Sequence, residues 1–219
     1  ASELKLPAQA FPDRQYRTAP GAEGQKFLVI GALPQQQEEA KWAAALKEAA
    51  HKYQARYLVC LKPVAEETKL AWEETLGLPI KSAGRLARWD EDLAVCYTLN
   101  ASGGTLVHGD AHDWQWLQGD LAQLKEKKQV FVFLDRQPFT GAAGFSSGPE
   151  ADLLRRRLQE TGKRLDALVW TFSPGASSGV VWEDGVRYQS LPAARPEEKP
   201  RLALVTLTDG DVTYTGLQY

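Results

Sequence analysis

The sequence predicts an α/β protein, and three observations carry that expectation. Two apolar runs flank an amphipathic segment near the N-terminus, further apolar runs alternate with helical periodicity in the middle, and five short strand-like runs close the chain. Lys26–Gly31 (KFLVIG) reads as a strand, Gln36–Tyr53 as a helix and Arg56–Leu61 (RYLVCL) as a second strand. That order is a βαβ unit, which calls for parallel pairing with a right-handed crossover. A shorter helix is expected over Glu66–Leu76. The runs Leu93–Leu99 and Thr105–His108, separated by Asn100, Ser102, Gly103 and Gly104, predict a hairpin.

A helix over Asp113–Lys127 begins on an Asp cap and ends in Lys125, Lys127 and Lys128, the charge order that complements a helix dipole. Strand Val130–Leu134 (VFVFL) follows. Ser147, Pro149 and Glu150 then combine a Ser cap, a Pro in the first turn and a Glu three residues on, which starts a helix running to about Thr161. Beyond it, Asp166–Phe172, Gly179–Trp182, Gly185–Leu191, Arg201–Thr208 and Asp211–Leu217 predict five strands. Glu183-Asp184-Gly185 and Asp209-Gly210 are turns of the kind that joins antiparallel neighbours. Residues 1–25 hold Pro7, Pro12, Pro20, Gly21 and Gly24 without apolar periodicity and are expected to form an extended arm, with one domain over residues 26–219.

Composition bounds the function. The 219 residues, 43% of them hydrophobic, allow one substantial core, and a formal net charge of −2 removes the electrostatic reason to expect nucleic-acid or anionic-membrane binding. No apolar run approaches the roughly 20 residues of a membrane-spanning helix, and no apolar signal-peptide segment is present. Cys60 and Cys96 each sit in a strand-like apolar run, where buried thiols are expected, although a disulfide between neighbouring strands is an alternative. A chain beginning at Ala1 and free of Met predicts that an initiator or presequence has been removed or left out. Together with two thiols, this is compatible with an organelle interior such as the mitochondrion, or else the cytoplasm.

The stretch Gln129–Phe139 (QVFVFLDRQPF) brings the second half of the chain close to a known pattern. A helix with Gln115, Trp116 and Leu117 precedes a hydrophobic strand ending before Pro138-Phe139. A second helix follows, then a strand with Asp166-Ala167-Leu168-Val169, then Asp184-Gly185-Val186-Arg187-Tyr188. In order and spacing this resembles the calcineurin-like metallophosphoesterases, and Gly31-Ala32-Leu33-Pro34-Gln35 resembles the Gly-Ala-Asp-Pro-Gln of one branch of that family. The resemblance implies two packed mixed β-sheets flanked by helices, a four-layer α/β/β/α sandwich. In such enzymes two metal ions roughly 3.5–4 Å apart polarise a phosphoryl oxygen and supply a hydroxide.

Hard dications need converging carboxylate and imidazole ligands, and the matching positions here lack them. Ala32 or Leu33 stands where the first family motif has Asp. Leu61-Lys62-Pro63 replaces the Gly-Asp motif, and Leu78–Gly84 (LPIKSAG) stands for the Gly-Asn-His motif. Asp135 takes the place of a metal-binding His, with Arg136 and Gln137 after it, and Thr171-Phe172-Ser173-Pro174 replaces Gly-His-x-His. Asp135 alone retains ligand chemistry, and Lys62 would repel a metal if it points inward. No catalytic, cofactor-binding or metal-binding residue is therefore assigned. The chain is expected to be a pseudoenzyme and an accessory or structural subunit of a multisubunit assembly, peripheral to a membrane complex at most. A module that binds a phosphorylated ligand through Lys62 and Arg136, and an active phosphoesterase with unorthodox ligands, are the alternatives.

Other clusters have plainer readings beside their functional ones. His108-Gly109-Asp110-Ala111-His112-Asp113 offers turn and cap residues or a surface metal site, and His51 a solvated position late in a helix. The segments 141–148 and 173–179 are Gly- and Ser-rich loops or anion cradles, without the Gly-Lys-Ser/Thr of a P-loop. Trp114 and Trp116 lie two apart on a helix and so point in different directions, leaving one of them to reach a partner.

Overall fold

Strands that are apolar at every position need cover on both faces, and the fold supplies it. The computed structural model describes residues 23–34, 39–101, 103–106, 111–124, 129–140, 144–174, 179–193, 201–208 and 211–218. The first part of the chain runs β1 (Gln25–Ile30), α1 (Glu39–Tyr53), β2 (Leu58–Cys60), α2 (Glu66–Leu76), β3 (Ile80–Ser82), β4 (Ala87–Asp90) and β5 (Ala94–Thr98). Next come α3 (Ala111–Gln123), β6 (Gln129–Leu134), β7 (Gln137–Thr140), β8 (Gly144–Phe145) and α4 (Gly148–Gly162). The chain closes with β9 (Ala167–Ser173), β10 (Gly179–Glu183), β11 (Val186–Pro192), β12 (Arg201–Thr208) and β13 (Asp211–Gln218).

One sheet has the order β13-β12-β1-β2-β3 and the other β10-β11-β9-β6-β5-β4, while β7 and β8 make a small parallel pair. β1, β2 and β3 are parallel to one another, as the βαβ pattern predicts, and so are β5, β6, β9 and β11. The antiparallel strands β4, β10, β12 and β13 lie toward the edges of both sheets.

The alternation of side chains along each central strand builds three apolar layers. Phe27 and Val29 of β1 and Phe131 and Phe133 of β6 face the space between the sheets. Leu28 and Ile30 face α1 and α2, meeting Trp42, Leu46 and Trp72. Val130, Val132 and Leu134 face α3 and α4, meeting Leu117, Leu121, Leu154 and Leu158. The molecule is a four-layer α/β/β/α sandwich of two packed mixed sheets, the architecture the resemblance implies.

Several elements differ from expectation. The antiparallel partner of β5 is β4, upstream of it; Thr105 and Leu106 form no strand, and residues 107 and 108 lie outside the described set, so the predicted hairpin over Leu93–Leu99 and Thr105–His108 is not formed. Short β3 and β4, of three and four residues, carry too few residues for a periodic signal. Helix α3 starts two residues earlier than Asp113, which sits in its first turn and not at the cap. The lysines at 125, 127 and 128 are outside the described residues. Instead, Arg164 donates from both Nη atoms to the carbonyls of Leu121 and Leu124 at 3.0 Å each, placing a cation on the C-terminal end of α3. Of the predicted arm, residues 1–22 fall outside the described set, and Gln25 already belongs to β1, paired with Leu207.

Two local expectations match closely. Ser147 caps α4, its hydroxyl accepting from the Glu150 N–H at 3.4 Å. Asp184 and Gly185 join β10 to β11 with φ of 46° and 81°, the doubly left-handed geometry of a type I′ turn, which matches the twist of the hairpin it closes. Phe131 is fully buried between the sheets, so Phe131→Ala should cost about 3–5 kcal/mol, read as a lowered urea midpoint with an unchanged slope.

Candidate functional site

In open parallel sheets, ligands bind beyond the carboxyl ends of the strands, where backbone groups and loop side chains converge. Here that rim is formed by Gly31–Leu33 after β1, Leu61–Pro63 after β2, Ala83–Arg85 after β3, Leu99–Ala101 after β5, Asp135-Arg136 after β6, and Ala193 after β11. The fold thus brings positions matched to four of the five phosphoesterase motifs to this rim. Backbone bonds tie the strand ends within each sheet: Leu61 N–H to Ile30 O and Ala83 N–H to Cys60 O at 3.0 Å, and Leu99 N–H to Phe133 O at 3.1 Å. A further bond, Gly84 N–H to Leu99 O at 3.1 Å, joins one sheet to the other.

Among the described residues, apolar side chains line the space between the sheets up to this rim. Ala32, Leu191 and Ala193 pack against the interlayer core that also holds Leu61 and Phe172. At Gly31 the two sheets touch backbone to backbone, since a Cβ there would lie 2.0 Å from the carbonyl oxygen of Pro192. Lys62 is exposed and its Nζ stands 4.6 Å from the centroid of the Phe172 ring, a cation–π contact across the sheets.

Asp135 is 4% exposed at the end of β6, and its Oδ1 accepts the Ala101 N–H at 3.1 Å. Burial pushes its carboxyl above the usual value, opposed by the Ala101 and Asp135 backbone N–H groups and by Arg136 and Lys62. Its geometry is that of a clamp on the 99–101 loop. Among the described residues, no group of three or more His, Cys, Asp or Glu side chains converges as a metal site would require. A pair of dications therefore does not fit the described residues of this rim, where one buried carboxylate faces two cations.

His108 and Asp110 lie outside the described residues; His112 is exposed in the first turn of α3, Asp113 is half-buried beside it, and His51 is exposed on α1. The start of α4 is occupied by its own chain: besides the Ser147 cap, the Glu150 carboxylate accepts the Leu106 N–H at 2.6 Å and Ser146 bonds the Gly104 carbonyl. Residues 141–143 and 175–178 are outside the described set. Cys60 and Cys96 are free, buried, and in different sheets, so the strand-to-strand disulfide is not formed. Burial raises both thiols, Cys60 to about 11.

Two features went unrecognised in the sequence. A pocket of about 160 Å³ opens beside the rim, on the α3 side, walled by Leu86, Leu99, Leu106, Trp114 and Leu117 with Asn100 and Asp113 among its polar groups. Its walls come from four separate segments, so no local pattern announces it. Arg187 is buried on β11, where alternation turns it with Gln189 toward the opposite sheet, and its Nη2 donates to Gln189 Oε1 at 3.1 Å. The run GVRYQSL does carry that alternation. Of the two tryptophans on α3, Trp114 packs on the helix-side core and Trp116 is 44% exposed.

Asp135 supplies a test of the clamp. Asp135→Ala leaves the buried Ala101 N–H without its acceptor and should cost about 1–3 kcal/mol, whereas Asp135→Asn keeps an oxygen there and should match or exceed the parent at neutral pH. The folded-state value lies above the unfolded one, so the protonated form is the better accommodated. The parent's stability from this group is then fully present below the unfolded value of 3.8 and is lost as pH rises through the folded value, a trend absent in Asp135→Asn. Chemical denaturation across that pH window measures it.

No protein-family model matches the sequence, and no curated protein matches it. Similar solved structures include a single mutant of Vps29 from Entamoeba histolytica, at 11% identity and TM-score 0.41, covering 89% of this chain and 99% of that one. Vacuolar Protein Sorting 29 from Cryptosporidium parvum is similar at 12% identity and TM-score 0.42, covering 90% and 98%. Wild-type Vps29 complexed with Zn²⁺, also from Entamoeba histolytica, is similar at 11% identity and TM-score 0.38, covering 89% and 99%.

Proposed function

We propose that the chain is a non-catalytic protein on a metallophosphoesterase-like scaffold, serving as an accessory or structural subunit of a larger protein assembly. The observation that carries this reading is the rim. Its positions hold Ala32, Leu33, Leu61, Ala83 and Gly84, and the single buried carboxylate, Asp135, is engaged by the Ala101 N–H. A scaffold of this size whose strand ends are packed with apolar groups is free to be used by its outer surfaces. None of the helices in the described residues is long and apolar enough to cross a membrane, which suits contact with other proteins at a membrane complex no more than in solution.

Metal analysis of the purified chain should find no stoichiometric metal, and phosphodiester and phosphomonoester substrates with Mn²⁺ should show no turnover. Metal-dependent turnover abolished by Asp135→Ala would overturn the proposal. A second reading is favoured by the rim's charge, since Lys62 and Arg136 outnumber Asp135: the same rim binds a phosphorylated ligand without turning it over. Nucleotides and sugar phosphates at about 100 times their dissociation constant would then stabilise the fold by about 2.7 kcal/mol in a thermal-shift series, and Lys62→Gln would remove the shift.

A further inference from the structure

We draw no further inference here: the strongest candidate, the pocket of about 160 Å³ between the start of α3 and the chain beyond β3 and β5, carries nothing because residues 107–110, the link between two of its walls, Leu106 and α3, lie outside the described residues, and nothing in the structure shows what covers it.

Discussion

The layer between the two sheets governs this structure. Phe27 stacks on Tyr57 with ring centroids 5.0 Å apart and meets Phe131 edge-on at 5.6 Å; Phe133 stacks on Trp89 at 5.8 Å, and Trp89 meets Tyr57 edge-on at 5.9 Å. These rings come from both sheets, so neither sheet's inner face can be dry without the other. Large rings in offset and edge-to-face contact hold the sheets at a fixed separation and bury more apolar area per residue than aliphatic side chains would. The same burial removes chemistry: the Tyr57 hydroxyl and the Cys96 thiol are both pushed far above their ordinary ionisation range by loss of solvent.

Filling the interlayer has a consequence at the strand ends. A binuclear centre needs a polar notch where the two sheets open, and among the described residues that edge is lined by apolar groups. Ala32, Leu191 and Ala193 extend the apolar layer to the rim, the Gly31 backbone abuts the Pro192 carbonyl, and the Gly84–Leu99 bond closes one sheet onto the other. In this setting Asp135 serves as the buried acceptor of a buried N–H.

The interior is committed to packing, and the helices cover the outer faces of the two sheets. Three of them present charged residues to solvent, and pairs such as Lys69–Glu66 and Arg157–Glu160, at 3.0 and 2.7 Å, are contacts of small energetic weight. Among the described helices, α3 carries a 44% exposed tryptophan, Trp116, one turn from Gly119. Its inner side is tied down by Leu117 and Leu121 in the core and by Arg164 at its C-terminal carbonyls.

What the sequence determined by itself was whatever depends on neighbours in the chain. The doubly buried strands are legible in KFLVI and VFVFL because a run without polar alternation has no face to give to water. The Ser147 cap and the Asp184-Gly185 turn are legible because their geometry is set within four residues. The missing carboxylates at the strand ends are likewise plain from residue identity. The tertiary structure alone decided which strands meet: β4 pairs with β5 and β3 joins β2, although three- and four-residue strands carry no period of their own. It also decided that Asp135 clamps Ala101, that Gly31 meets Pro192, and that Trp116 and not Trp114 faces outward. Each of these is a contact between segments far apart in the chain, and such contacts are chosen by the packing of whole layers, a collective property that no local pattern encodes.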